Sequence, residues 1–187
     1  MMIEELEIDN SHIIIQYCND IKSLIYNLKE TGWHKKFVCD SSNIYYTINQ
    51  DTKRLNEFIA YDNFIDLIEE VVFIMNAYNF TSVIDYDNLQ NINVEFHYAN
   101  ADSDIVFPWT DIHCDNDNGI LVNTFICYLD SECQNGELLF YDPERKISTK
   151  SSSTNEKKCI IFNGDLLHNP SPIANGFRYA ISFQIPK

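Results

Sequence analysis

His113 and Asp115 stand two positions apart in the stretch "TDIHCDNDNGILVNTFICYLD" (110–130), just ahead of an apolar run. In an extended strand alternate side chains share a face. This imidazole and carboxylate therefore point the same way, about 6 to 7 Å apart along the chain, with Cys114 on the other side. Both can bend toward one ion. A third ligand has to come from a different strand, and His168 is the candidate. The segment "IIFNGDLLHNPSPIANGFRYAISF" carries it past an apolar strand and a Gly-Asp turn to a strand edge. Two imidazoles and one carboxylate on one face of an octahedron suit ferrous iron, leaving three positions for a chelating cosubstrate and dioxygen. Zinc accepts the same ligand types but prefers tetrahedral closure with one water.

Arg178 follows in "GFRYAISFQI". A guanidinium is an odd resident of a sheet interior unless it grips an anion, and its planar fork matches a carboxylate bidentately. Tyr128 shares strand parity with Ile120, Val122, Thr124 and Ile126. If that face is the interior, its hydroxyl needs a partner there, and a carboxylate held by Arg178 would serve. Taken singly, each feature has a plain structural explanation: a surface H-x-D, a rim histidine, a sheet-edge arginine, a packed tyrosine. What lifts the set is its order along one chain.

These residues need strands to carry them. From "NINVEFHYAN" onward the hydrophobic period is two, and the expected strands cover 92–98, 103–107, 120–129, 137–141, 158–163 and 177–185. Four of the five glycines, at 119, 136, 164 and 176, fall between or beside them in turn-like settings. The polar piece "ISTKSSSTNEKK" (147–158) reads as a loop or hairpin end. The first ~90 residues read as helix-rich. Ile21, Leu24, Ile25 and Leu28 mark one helical face. Phe64, Leu67, Ile68, Val71, Val72 and Met75 mark a stronger one, with Asp62 or Asn63 as its cap. Between them "KFVCD" and "NIYYTIN" suggest two strands. Many short strands without intervening helices point to a sandwich or barrel-like pair of sheets.

Length and composition agree. A chain of 187 residues is most simply one domain (1–187), and 45% hydrophobic content with 12 Phe and 11 Tyr can build a sizeable core. A formal net charge of −15 repels phosphate backbones, so duplex nucleic acid is not the expected partner and basic partners are favoured. The six cysteines form no CxxC pair, and the acidic "MMIEELEIDNSH" start lacks a signal-peptide pattern. No apolar run approaches the ~18 residues of a membrane span. The expectation is a cytoplasmic protein with reduced thiols.

The pieces "HCDNDNGILVNTFICYLD", "NGELLFYD" and "CIIFNGDLLHNPSPIANGFRYAISF" together resemble the iron(II)- and 2-oxoglutarate-dependent dioxygenases, and most closely their prolyl- and lysyl-hydroxylase branch. The resemblance covers ~92–187, about half the chain, while residues 1 to ~90 match only as an outer support. It implies an α+β fold whose core is a double-stranded β-helix, jelly-roll and cupin-like, with supporting N-terminal helices. It implies Fe(II) held by His113, Asp115 and His168, and 2-oxoglutarate held at its distal carboxylate by Arg178 with Tyr128 beside it. Dioxygen would be the oxidant, with ascorbate a candidate reductant. Tyr98 is the nearest match to the cosubstrate tyrosine of that branch. It lies fifteen residues before His113, with "YANADSD" in place of Y-x-x-G and Thr110 where a second aromatic often stands. Collagen-type prolyl hydroxylases tend to carry Lys where Arg178 stands, whereas oxygen-sensing prolyl hydroxylases and lysyl hydroxylases carry Arg.

The implied activity is hydroxylation of a C–H bond, most simply on a prolyl residue of a protein or peptide substrate, which the acidic surface would suit if basic. Alternatives are a lysyl hydroxylase, a small-molecule oxygenase of the same superfamily, and a non-catalytic cupin-like binding module. Phe107, Trp109 and Ile126 are candidate wall residues, and the loops at 40–50, 99–108 and 142–157 are where substrate choice would reside.

Overall fold

The computed structural model describes residues 2–8, 14–16, 19, 34–40, 43–48, 51–54, 61–86, 89–100, 111–116, 119–150 and 158–187. For 34–54, 61–63, 90, 96–100, 129–132, 148 and 150 the description is of the backbone. The run "KCIIFN" shows why the fold is layered. It forms β9 (Lys158–Asn163), in which Cys159, Ile160, Ile161 and Phe162 are all buried, because both faces of the strand are covered. Cys159 and Ile161 belong to one core, Ile160 and Phe162 to a second.

The same division runs through the neighbouring strands. In β6 (Val122–Asn135), Phe125 and Cys127 face the first core, and Tyr128 the second. In β11 (Ile173–Pro186), Ile181, Phe183 and Ile185 join the first core and Ala180 the second. The first core is closed by α1 (Tyr61–Ala77), whose stripe of Phe64, Leu67, Ile68, Val71 and Met75 is buried against it. Burying one such side chain contributes about 1.5 to 3 kcal/mol, so this stripe fixes the helix against the sheet more firmly than helix propensity can.

The large sheet has eight strands in the order β1-β9-β6-β11-β5-β2-β3-β4, with β1 (Ile3–Glu7), β2 (His34–Asp40), β3 (Asn43–Ile48), β4 (Asp51–Arg54) and β5 (Asn93–Asn100). Every pairing within it is antiparallel. A smaller sheet, β10-β7-β8, is made of β7 (Leu138–Tyr141), β8 (Ile147–Lys150) and β10 (His168–Pro170). The second core lies between the two sheets, where Leu138 and Phe140 of β7 meet Ile160, Phe162 and Ala180. The expected pair of sheets is therefore present.

Of the supporting helices expected in the first ~90 residues, the described part contains one long one, α1. That part also holds four strands and helical residues at 14–16 and 19, and all four strands join the large sheet. Of these, β2 and β3 match "KFVCD" and "NIYYTIN"; β1 and β4 carry no alternating pattern, because each is an edge strand whose pairing comes from its neighbour. The helix expected over Ile21, Leu24, Ile25 and Leu28 lies outside the described residues, as does the strand at 103–107. Since α1 already begins at Tyr61, neither Asp62 nor Asn63 occupies the position ahead of it. Part of the polar 147–158 segment forms β8. Cys114, Cys127, Cys133 and Cys159 take part in no disulfide. Among the described residues, no helix is long and apolar enough to cross a membrane.

Candidate metal centre and cosubstrate cavity

His113 and His168 meet across the edge of the small sheet. Their backbones exchange two hydrogen bonds, His113 N to His168 O at 3.0 Å and His168 N to His113 O at 2.8 Å. This bridge adds the H-x-D segment to β10, and the two imidazole rings stand 4.5 Å apart. Asp115 is tied in from the other side, its amide donating to the Gly164 carbonyl at 2.7 Å. One ligand atom from each of the three residues lies within 4.8 Å of the others.

The side chains are oriented as ligands. The Nδ1 of His113 is 2.7 Å from the Asp111 carbonyl, and that of His168 is 2.8 Å from the Leu166 carbonyl. A carbonyl accepts, so Nδ1 carries the proton in each ring and Nε2 keeps its lone pair. Those Nε2 atoms lie 3.7 and 3.6 Å from Asp115 Oδ1. Metal–ligand bonds are about 2.0 to 2.2 Å, so two ligands of one ion stand about 3 to 4 Å apart. Asp115 Oδ2 accepts the Thr124 hydroxyl at 2.5 Å, which leaves Oδ1 for the ion.

Charge balance points the same way. Asp115 and Thr124 are both buried, and no lysine or arginine among the described residues pairs with that carboxylate. Burial pushes the His168 imidazole below its usual range, against the opposing pull of Asp115, so the ring is neutral at neutral pH. A buried carboxylate beside a neutral His168 ring, with no lysine or arginine paired to it among the described residues, lacks a cation. The donor set therefore fits a divalent first-row ion.

Gly164 sets the height of this arrangement. A Cβ there would stand 2.6 Å from Val122 Cγ2 and 2.9 Å from the Val122 carbonyl oxygen, while the Gly164 amide donates to that carbonyl at 2.9 Å. The backbone thus passes too close to β6 for any side chain. Gly164→Ala should cost about 1 to 3 kcal/mol of stability and weaken metal binding, because it displaces the carbonyl that holds Asp115. Thermal melts and ferrous-ion titration check both effects, and an unchanged metal affinity would show that the Gly164 contact does not position Asp115.

From the triad a cavity opens between the sheets, walled by Ile126, Leu138 and Ala180 and reaching Arg178 and Tyr128. Arg178 is buried (4% exposed) and donates from Nη1 to the Gly136 carbonyl, with its guanidinium carbon 5.8 Å from the Tyr128 ring centre. No carboxylate among the described residues pairs with it. Gly136 has φ +89°, and a Cβ there would come within 3.3 Å of Arg178 Nη1, so this turn too requires glycine. A register shift between Tyr179 and Ala180 places Tyr128 opposite Ala180 and Ser131 opposite Arg178, leaving Leu129 as the extra residue of a bulge. Burial pushes the Tyr128 hydroxyl's pKa up, only partly offset by Arg178, so it stays a proton donor at neutral pH.

No family model matches the sequence, and no curated relative does. Solved structures match in fold. A prolyl 4-hydroxylase from Phytophthora capsici aligns with a TM-score of 0.64 at 12% identity, over 97% of this chain and 58% of that one. The chain thus spans less than two thirds of that protein's length. An oxidoreductase of the 2OG-Fe(II) oxygenase family from Burkholderia pseudomallei gives 0.58 at 8% identity, over 98% and 84%. A prolyl hydroxylase from Trichoplax adhaerens, in complex with a hypoxia inducible factor oxygen degradation domain peptide fragment, gives 0.55 at 15%, over 98% and 83%.

The chain has the jelly-roll fold of the 2OG-Fe(II) oxygenases. Within this oxygenase fold, five of the six residues singled out in the sequence, namely His113, Asp115, His168, Arg178 and Tyr128, line one cavity. The sixth, Tyr98, lies in β5 opposite Tyr179, and its side chain is outside the described set. Among the described residues, the β5 side chain in the cavity wall is Glu95, opposite Ser182. Phe107 and Trp109 also lie outside the described residues, whereas Ile126 is in the wall. Thr124, Gly136 and Gly164 carry roles that their types alone did not reveal. Only the parity of Thr124 with Tyr128 could have flagged it.

Proposed function

We propose that this protein is an Fe(II)- and 2-oxoglutarate-dependent oxygenase that hydroxylates a C–H bond, with a prolyl residue of a protein or peptide as the target. The observation that carries this is the placement of an anion-seeking buried guanidinium and a cation-seeking His-Asp-His set in one cavity. His113, Asp115 and His168 would hold the iron. The chemistry such a centre supplies is hydroxylation by dioxygen coupled to oxidation of 2-oxoglutarate to succinate and carbon dioxide.

The chain's own residues account for the rest. The carbonyls of Asp111 and Leu166 hold both imidazoles in the ligating tautomer, and Thr124 restrains the carboxylate. Arg178 binds the distal carboxylate of the diacid, and the protonated Tyr128 hydroxyl donates to the same group. Ile126, Leu138 and Ala180 exclude water from the carbon chain between. The prolyl target draws support from prolyl hydroxylases among the fold neighbours, and a peptide substrate from the neighbour that holds one. Ascorbate as reductant and a cytoplasmic setting belong to the same proposal.

The decisive assay is succinate release from 2-oxoglutarate with ferrous iron and ascorbate. Release should exceed the protein-free blank, rise with a proline-containing peptide, and leave that peptide heavier by one oxygen. Absence of release under all conditions overturns the oxygenase and favours a binding module. Release stimulated only by lysine peptides or small molecules moves the target instead.

A further inference from the structure

The guanidinium of Arg178 is held from behind by a turn that is itself braced. Asn135 and Gly136 have φ of +63° and +89°, two consecutive left-handed residues that carry the chain from β6 into β7. In this turn the Gly136 carbonyl accepts from Arg178 Nη1. The Gly136 amide donates to Ser171 Oγ at 2.9 Å, and that hydroxyl donates to Glu137 Oε2 at 2.9 Å. The Ser171 amide closes the ring on the Glu137 carbonyl at 2.7 Å. A carboxylate only accepts, so the Ser171 proton is committed to Glu137 and a lone pair of its oxygen is turned to Gly136. Glu137 makes a further interaction in the fold, and the brace uses only one of its oxygens.

Ser171 also ties this turn to the metal side. It follows β10 (His168–Pro170) directly, three positions or about 10 Å of extended chain from His168. That strand is paired to β7, with Pro170 opposite Leu138 and His168 opposite Phe140. The brace therefore joins the strand that carries a metal ligand to the carbonyl that holds the guanidinium, while Pro170 and Leu138 wall the cavity between. Neither Ser171 nor Glu137 is among the residues lining that cavity. Their effect on a bound anion has to pass through Arg178. A ligand that spans the triad and the guanidinium must match the separation this framework sets.

We propose that Ser171 and Glu137 are positioning residues that fix the reach of the Arg178 anchor and thereby select the chain length of the dicarboxylate cosubstrate. The inference rests on the oxygenase reading for the identity of that diacid, but binding alone tests it. The rise in melting temperature of the manganese-loaded protein would compare 2-oxoglutarate with 2-oxoadipate, one methylene longer. The parent should prefer 2-oxoglutarate. Ser171→Ala orphans the Gly136 amide and loosens the turn, so 2-oxoglutarate affinity should fall about tenfold. The fall for 2-oxoadipate should be smaller, and manganese affinity should stay as in the parent. Ser171→Thr keeps the hydroxyl and should restore the preference. Glu137→Gln keeps an acceptor oxygen without the charge and should fall between, and it carries the test if Ser171→Ala does not fold. A merely structural brace would lower the melting temperature of these variants and leave the preference between the diacids as in the parent, which overturns the proposal. A parent that binds both diacids alike, or neither, overturns it too. Succinate release judges the oxygenase separately. A parent that prefers 2-oxoglutarate without releasing succinate sinks that reading, while loss of the preference in Ser171→Ala still supports the brace.

Discussion

His113→Ala should lower ferrous-ion affinity by at least about 100-fold while leaving the metal-free fold almost untouched. Losing a partner behind a metal ligand costs about 10- to 100-fold in affinity, so losing a ligand itself costs no less. The structural cost is small for two reasons. The His113 side chain is 36% exposed, and its bridge to His168 is made by backbone atoms that alanine retains. Surface substitutions of this kind usually change stability by about 0.5 kcal/mol or less. Asp115→Ala is a less clean probe, because it strips the acceptor from the Thr124 hydroxyl, buried at 1% exposure. An orphaned buried hydroxyl costs about 1 to 3 kcal/mol, so that variant should lose both metal and stability. Anaerobic calorimetric titration with ferrous ion, beside thermal melts without it, separates the two. If His113→Ala binds iron as tightly as its parent, the triad is not the site.

The parts of this site that were legible in the sequence are those whose residue types are scarce in their setting. An H-x-D before an apolar strand, a histidine after a Gly-Asp turn and an arginine inside "RYAISF" each clash with their surroundings unless a ligand explains them. The strands behind them were legible for a related reason. A run such as "CIIF" is covered on both sides, and "NTFICY" alternates between two interiors. What stayed hidden depends on partners far away in the chain. Gly164 is essential because Val122 lies against it, and no local signal distinguishes it from an ordinary turn glycine. Glu95 reads as a solvent-facing strand charge until the β5–β11 register turns it into the cavity. β1, β8 and β10 are short or polar strands at or near sheet edges, specified by the neighbours they pair with rather than by their own pattern.

Arg178→Met should weaken 2-oxoglutarate binding by about two orders of magnitude and leave the diacid-free protein within about 1 kcal/mol of its parent in stability. The first effect follows from what remains in the cavity. Tyr128 supplies one donor, and the apolar walls supply none, so the distal carboxylate would lie desolvated and largely unpaired. The second effect follows from what Arg178 has without the diacid: the Gly136 carbonyl and the face of Tyr128. One backbone acceptor and a ring only partly offset the desolvation of a guanidinium, so an apolar chain of similar length relieves nearly as much as it removes. A purely structural arginine predicts the opposite pattern, with stability lost and cosubstrate affinity kept. Arg178→Lys should fall between, since the charge stays but the fork that matches a carboxylate is gone. The measurement is the rise in melting temperature that 2-oxoglutarate gives the manganese-loaded protein, which tracks its affinity by mass action. A parent-sized rise in Arg178→Met would place the diacid elsewhere. A rise lost in Arg178→Met, small in Arg178→Lys and moderately reduced in Tyr128→Phe is the ranking that an anchor made of one fork and one hydroxyl requires.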